Sequence, residues 1–146
     1  MKKILFLFSM LVASLIFVTC DDDDDLTIAT ADLPENARTF LQTHFQGQEI
    51  RLVKKDNDSY DVYLANGFEI EFNLSGEWDD VDCRTQTVPQ SIIDLLPENI
   101  PLYVSENYAQ NHISEVNKER YGFEIGLNSG LDLKFDKDGN FLGIDK

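Results

Sequence analysis

Residues 33–83 recur, without a gap, as residues 96–146. Leu33-Pro34-Glu35-Asn36 opens the first stretch and Leu96-Pro97-Glu98-Asn99 the second. The same offset of 63 pairs Ile50 with Ile113, Val53 with Val116, Lys55 with Lys118, Leu64 with Leu127, Gly67 with Gly130, Phe72 with Phe135, Gly76 with Gly139 and Asp82 with Asp145. These 12 identities in 51 positions compare with roughly three or four expected from composition alone. Conservative pairs such as Phe40/Tyr103, Tyr60/Phe123, Ile70/Leu133 and Trp78/Phe141 fill the intervals. A 51-residue unit buries too small a fraction of its surface to be more than marginally stable, so the two copies are expected to share a sheet or a core.

Each unit opens with a helical pattern. Ala37, Phe40, Leu41, His44 and Phe45 fall on one stripe at a period of 3.6, which predicts a helix from about Pro34 to Gln46 with Gly47 ending it. Ile100, Tyr103, Val104, Asn107 and Tyr108 repeat the spacing. Pro101 cannot lie deep in a helix, so that helix is expected to start with Asn99 as its cap, after a short linking helix within 88–96.

The period then changes to two. Tyr60, Val62 and Leu64 alternate with polar neighbours, as do Phe68, Ile70 and Phe72, and the second unit repeats this with Phe123, Ile125 and Leu127, then Leu131, Leu133 and Phe135. Such strands have one apolar and one polar face, as in a sheet covered on one side. Asn66-Gly67, Ser75-Gly76 and Asp138-Gly139 supply tight turns. First strands near 50–55 and 113–118, and last strands near 77–82 and 140–145, complete the pattern. The predicted fold class is α+β: two tandem repeats, each a helix plus a four-stranded antiparallel meander, forming a curved sheet with helices on one face. Trp78 and Val81, three apart in one strand, would face opposite sides unless a bulge intervenes.

The N-terminus points to export. Met1-Lys2-Lys3 is basic, Ile4 to Val18 is apolar apart from Ser9 and Ser14, and Cys20 follows Phe17-Val18-Thr19. That run is short for a membrane span, which needs about 20 residues; it resembles a secretion signal ending at a bacterial lipobox. Phe17 and Thr19 depart from the usual residues of that motif. Acylation of Cys20 would anchor the chain to a membrane by its N-terminus. Asp21 to Asp25 is a run of like charges that stays solvated and serves as a tether. The expected organisation is a signal over 1–19, lipidated Cys20 and tether over 20–32, repeats over 33–83 and 96–146, and a linker over 84–95.

Formal charge is -15 for the whole chain. Nucleic acid is therefore a poor partner, since phosphate binding needs clustered Lys and Arg. If Cys20 carries lipid, Cys83 has no cysteine to pair with. It is expected to be an inert thiol at a strand end.

The runs Pro34-Glu35-Asn36-Ala37-Arg38-Thr39-Phe40-Leu41, then Gly67-Phe68-Glu69-Ile70-Glu71-Phe72 with Gly76-Glu77-Trp78, and Gly130-Leu131-Asp132-Leu133-Lys134-Phe135 with Asp138-Gly139-Asn140-Phe141, resemble the tandem PepSY-like, beta-lactamase-inhibitor-like lipoproteins of Bacteroidetes. The resemblance implies a curved sheet with helices on its convex side and an open concave face. This is similar to the beta-lactamase inhibitory protein, which grips an enzyme with such a face. Acidic residues after a lipidated cysteine also resemble a surface-export signal of Bacteroidetes lipoproteins. An outer-membrane anchor, facing periplasm or surface, is the expected location; in enterobacteria an Asp at that place resembles an inner-membrane retention signal.

The polar sheet face carries the candidate partner-binding residues Asp61, Tyr63, Glu69 and Glu71 of the first unit and Glu124 and Asp132 of the second, beside Asn73, Lys134 and Asp136. An acidic surface with an aromatic anchor suits a basic protein or peptide. Asp136-Lys137-Asp138-Gly139-Asn140 resembles the start of a calcium loop but lacks the later acidic ligand, so a hairpin is the expected structure. His44 and His112 have no nucleophile motif around them, and no cofactor, metal or catalysis is expected. The reading is a non-enzymatic, lipid-anchored envelope module that binds a protein or peptide, with inhibitor-like action open. The alternatives are a calcium or small-ligand sensor, or a structural envelope protein.

Overall fold

The computed structural model describes residues 26–145; the signal, Cys20, the acidic run and Lys146 lie outside the described residues. Nine strands form one antiparallel sheet in chain order: β1 (Leu26–Thr27), β2 (Ile50–Lys55), β3 (Ser59–Leu64), β4 (Glu69–Asn73), β5 (Trp78–Asp82), β6 (Ile113–Glu119), β7 (Gly122–Leu127), β8 (Asp132–Asp136) and β9 (Phe141–Ile144). Three α-helices accompany it: α1 (Glu35–His44), α2 (Gln90–Ile93) and α3 (Asn99–Asn107). The architecture is α+β, an open antiparallel sheet with few helices. β5 and β6 pair through Asp80–Asn117, Val81–Val116 and Asp82–Glu115, so the sheet runs unbroken through the middle of the chain.

The alternation seen in sequence decides which side is covered. Val62, Ile70, Phe72, Val81, Val116, Ile125, Leu133 and Phe135 have no exposed surface. They share one core with Ala37 and Leu41 of α1, Ile92 of α2, and Ile100 and Val104 of α3. Positions 63 apart make the same contacts. Phe40 stacks on Trp78 (5.7 Å) and meets Phe72 edge-on (84°), while Tyr103 stacks on Phe141 (4.5 Å) and meets Phe135 edge-on (82°). Asn36 Nδ2 donates to Ser75 O and Asn99 Nδ2 to Asp138 O, both at 3.3 Å. Each bond pins the start of a helix to a hairpin whose glycine has no room for a side chain. A Cβ on Gly76 would lie 2.6 Å from Pro34 Cβ, and one on Gly139 2.8 Å from Pro97 Cβ.

Several local expectations need correction. Asn99 is the first residue of α3 rather than its cap, because its amide is committed to the β8–β9 turn. α1 is shorter than predicted, ending at His44, and the linking helix is the four-residue α2. Trp78 and Val81 are both buried: the β4–β5 register shifts between Glu71 and Phe72, placing a bulge that turns the two side chains to the same face. An equivalent shift occurs between Lys134 and Phe135. Lys118 closes the edge of the core over Trp78, its Nζ 3.7 Å from the ring centroid and donating to Trp78 O at 2.7 Å. Burial holds that ammonium's pKa below its ordinary value.

Candidate functional site

The face of the sheet away from the helices is defined by the strand registers. One row across it reads Lys54, Asp61, Glu71, Asp80, Asn117, Glu124, Lys134. The adjacent row reads Leu52, Tyr63, Glu69, Asp82, Glu115, Gly126, Asp132. All six sequence-predicted residues, Asp61, Tyr63, Glu69, Glu71, Glu124 and Asp132, stand on this one face. Asp80, Asp82 and Glu115, at the β5–β6 seam in its centre, were missed. The signal for them was present: Val81 and Val116 are core positions, so their neighbours in sequence must point the other way.

Directly opposed like charges in a sheet are destabilising, and here they are adjacent in both rows. Asp80 shows the effect most strongly. Burial, and then the carboxylates of Glu115, Asp82, Glu71 and Glu69, push its carboxyl up to about 8. Its Oδ1 is buried and has no hydrogen-bond partner. Glu71 is raised by burial and by Asp61, Asp79, Asp58 and Glu69. Glu115 is raised by burial and by Asp82, Asp132 and Glu124, with Arg84 acting against the rise. Tyr63, opposite Glu69, is raised by burial and then by the charges of Glu69 and Asp61.

Lys54 and Lys134 end one row, and Arg84 stands beside Glu69 and Asp82. Arg84 adopts a left-handed backbone (φ 60°) just past β5, where its N–H donates to Asp82 Oδ1 at 2.6 Å. That turn brings its guanidinium to 3.1 Å from both Glu69 and Asp82. With 58 % of its side chain exposed, each contact is worth at most about 1 kcal/mol. Lys134 pairs with Asp145 at 2.8 Å.

The two halves of the face differ where Tyr63 is matched, 63 residues on, by Gly126. A Cβ there would stand 2.8 Å from Glu115 Cβ and 3.1 Å from its Oε2. The glycine thus leaves room for the Glu115 carboxylate to lie across β7. Tyr63 instead raises an aromatic ring beside Glu69.

Other candidates have local duties. Asp136 Oδ1 accepts from the N–H groups of Asp138 (3.0 Å) and Asn140 (2.8 Å), and Oδ2 from Asn140 Nδ2 (2.9 Å). Its pKa is lowered by those bonds. Asn73 Oδ1 holds the β4–β5 turn in the same way, through Ser75 and Glu77. The segment that resembles a calcium loop is therefore a hairpin whose leading carboxylate is occupied. Among the described residues no group of three or more His, Cys, Asp or Glu is arranged to hold a metal ion. His44 lies on the covered side, 2.8 Å from Ser91 Oγ, and burial lowers its pKa. Cys83 is fully buried and its thiol is pushed up to about 12, first by burial and then by Asp82 and Asp80.

This open-faced antiparallel sheet, backed by short helices and charged on its free side, has close structural counterparts. The chain belongs to the PepSY-like family, provisionally described as beta-lactamase-inhibitor-like, whose pattern matches residues 58–143. A periplasmic protein of Bacteroides thetaiotaomicron, provisionally described as calcium-regulated, is 34 % identical, with a TM-score of 0.78 over 85 % of this chain and 98 % of that one. Two periplasmic proteins of Bacteroides vulgatus are similar: one of unknown function at 34 % identity (TM-score 0.78, 84 % and 99 % covered) and another at 33 % (TM-score 0.77, 86 % and 99 %). No curated protein matches. The match spans nearly all of each solved chain, so in those proteins the fold forms without further sequence. No helix among the described residues is long and apolar enough to cross a membrane.

Proposed function

We propose that the protein is a non-enzymatic binding module of the cell envelope that recognises a basic protein or peptide on the open face of its sheet. The observation that carries this reading is the set of eight acidic side chains, Asp61, Glu69, Glu71, Asp80, Asp82, Glu115, Glu124 and Asp132, on one continuous face, with Lys54 and Lys134 at the ends of one row and Arg84 against Glu69 and Asp82. Such a face carries repulsion that a cationic partner relieves, and it steers that partner during encounter. Tyr63 supplies an aromatic anchor at one side of the acidic field. In this reading the two stretches 33–83 and 96–146 are copies of one helix-and-meander unit, and the divergence of Tyr63 and Gly126 adapts each half to a different part of the partner.

The periplasmic relatives support an envelope location, and Cys20 supplies a lipid anchor that holds the module at the outer membrane. The family's description supports inhibitor-like action on an envelope enzyme. The association rate of a bound partner is expected to fall by roughly tenfold or more between low and near-molar salt. A salt-independent rate would contradict charge-steered recognition.

A second reading, calcium sensing, is favoured by the relative described as calcium-regulated. It places the ion on the same carboxylates, which would have to rearrange around it because no described group is arranged to hold a metal. Calorimetric titration with calcium decides this: saturable heat that disappears in Glu115→Gln supports sensing, and a flat trace removes it.

A further inference from the structure

Apart from the open face, a cavity of about 430 Å³ lies between α1 and the neighbouring strands. Leu41 and Phe45 of α1, Ile50 of β2 and Leu64 of β3 line it, with Thr30 and Arg38 beside them and glutamine amides completing the wall. Its size falls within the roughly 300–1,000 Å³ of small-molecule sites, and an apolar wall with a few polar groups is their usual make-up.

The internal repeat shows what this place accepts. Sixty-three residues later the four apolar positions are Val104, Tyr108, Ile113 and Leu127, with Pro101 for Arg38; Thr30 and Ile93 share the offset but lie just before the duplicated stretches. Ile93 is 9 % exposed and shares the core with Val104, Ile113 and Leu127. Thr30, in the cavity lining, is polar and exposed. Arg38 is exposed and makes no ion pair among the described residues. Its guanidinium is a planar donor suited to a carboxylate.

We propose that this cavity is a binding site for an aliphatic carboxylate, the hydrocarbon chain lying against Leu41, Phe45, Ile50 and Leu64 and the carboxylate paired with Arg38. The site is separate from the acidic face, and its occupancy does not depend on the partner recognised there. A neutral or cationic apolar ligand would leave Arg38 without a role.

The test is a calorimetric titration of residues 26–146 with hexanoate, octanoate and decanoate, with octanol as the neutral control. Affinity is expected to rise about fourfold for each methylene buried. Arg38→Gln should weaken octanoate by up to about fivefold, the worth of an exposed ion pair, and leave octanol unchanged. Thr30→Ile, which puts a bulkier apolar side chain into the lining, should weaken binding of both without lowering the melting temperature. The proposal is overturned if decanoate gives no saturable binding at millimolar concentration, if octanol binds as tightly as octanoate, or if Arg38→Gln leaves octanoate binding unaltered. Because Arg38 is exposed, that last result stands even if Thr30→Ile folds poorly.

Discussion

Asp80→Asn is expected to stabilise the protein by on the order of several kcal/mol at pH 8 and to change it little near pH 4. The sign follows from where the proton sits. In the unfolded chain Asp80 titrates in the ordinary carboxylate range; in the folded protein burial and then Glu115, Asp82, Glu71 and Glu69 push it up to about 8. Between those values the native state holds a proton that the unfolded state has released. Raising the pH through this window therefore costs native stability, and the full benefit is present only below it. Glu71 and Glu115 are shifted the same way and add to the slope. Asparagine keeps the shape of the side chain without the ionisation. Urea denaturation at pH 4.5, 6 and 8 should show the wild-type and Asp80→Asn curves diverging as pH rises. Parallel curves would mean that Asp80 is solvated like an ordinary surface aspartate.

Phe135→Ala should cost about 3–5 kcal/mol and destabilise both halves of the molecule together. Phe135 has no exposed surface and is ringed by Tyr103 (5.5 Å) and Phe141 (5.7 Å), so truncation leaves a void among aromatic side chains that cannot readily close it. The damage is not confined to the second half. β5 and β6 are joined through Val81 and Val116, both without exposed surface, in a core that extends from Leu33 to Phe135. Trp78, the sole tryptophan, lies in the first half and reports on it separately. The urea midpoint followed by Trp78 fluorescence should move with that followed by far-ultraviolet circular dichroism. A tryptophan transition left in place while the dichroism shifts would show two independently folding units.

Much of this arrangement is legible in the sequence because it rests on local periodicity. Alternation around Tyr60, Ile70, Ile125 and Leu133 marks the strands and their covered face, and the offset of 63 matches Trp78 with Phe141 and Phe40 with Tyr103, though not their stacking. What local pattern does not carry is pairing between distant segments. β1 is two residues long and exists by hydrogen bonding to β2, so no periodicity announces it. The bulge in β5 depends on register against β4, and without it Trp78 and Val81 look opposed. The same gap hid the centre of the acidic face. Asp61, Tyr63, Glu69, Glu71, Glu124 and Asp132 were visible one strand at a time, whereas Asp80, Asp82 and Glu115 gain their importance from the β5–β6 pairing that brings the two halves side by side.

That seam also bears on the proposed recognition. A cationic group placed over Asp80 would favour its ionised form and recover stability that the free protein loses at neutral pH, so binding and the titration of Asp80 are coupled. The most direct measurement is a crosslinking pull-down from envelope extract with residues 26–146, comparing wild type with the Tyr63/Glu69/Glu71 triple alanine variant by quantitative mass spectrometry, after checking that the variant folds. A protein captured by wild type and lost with the variant is the predicted result. Equal capture by both would contradict recognition on the open face.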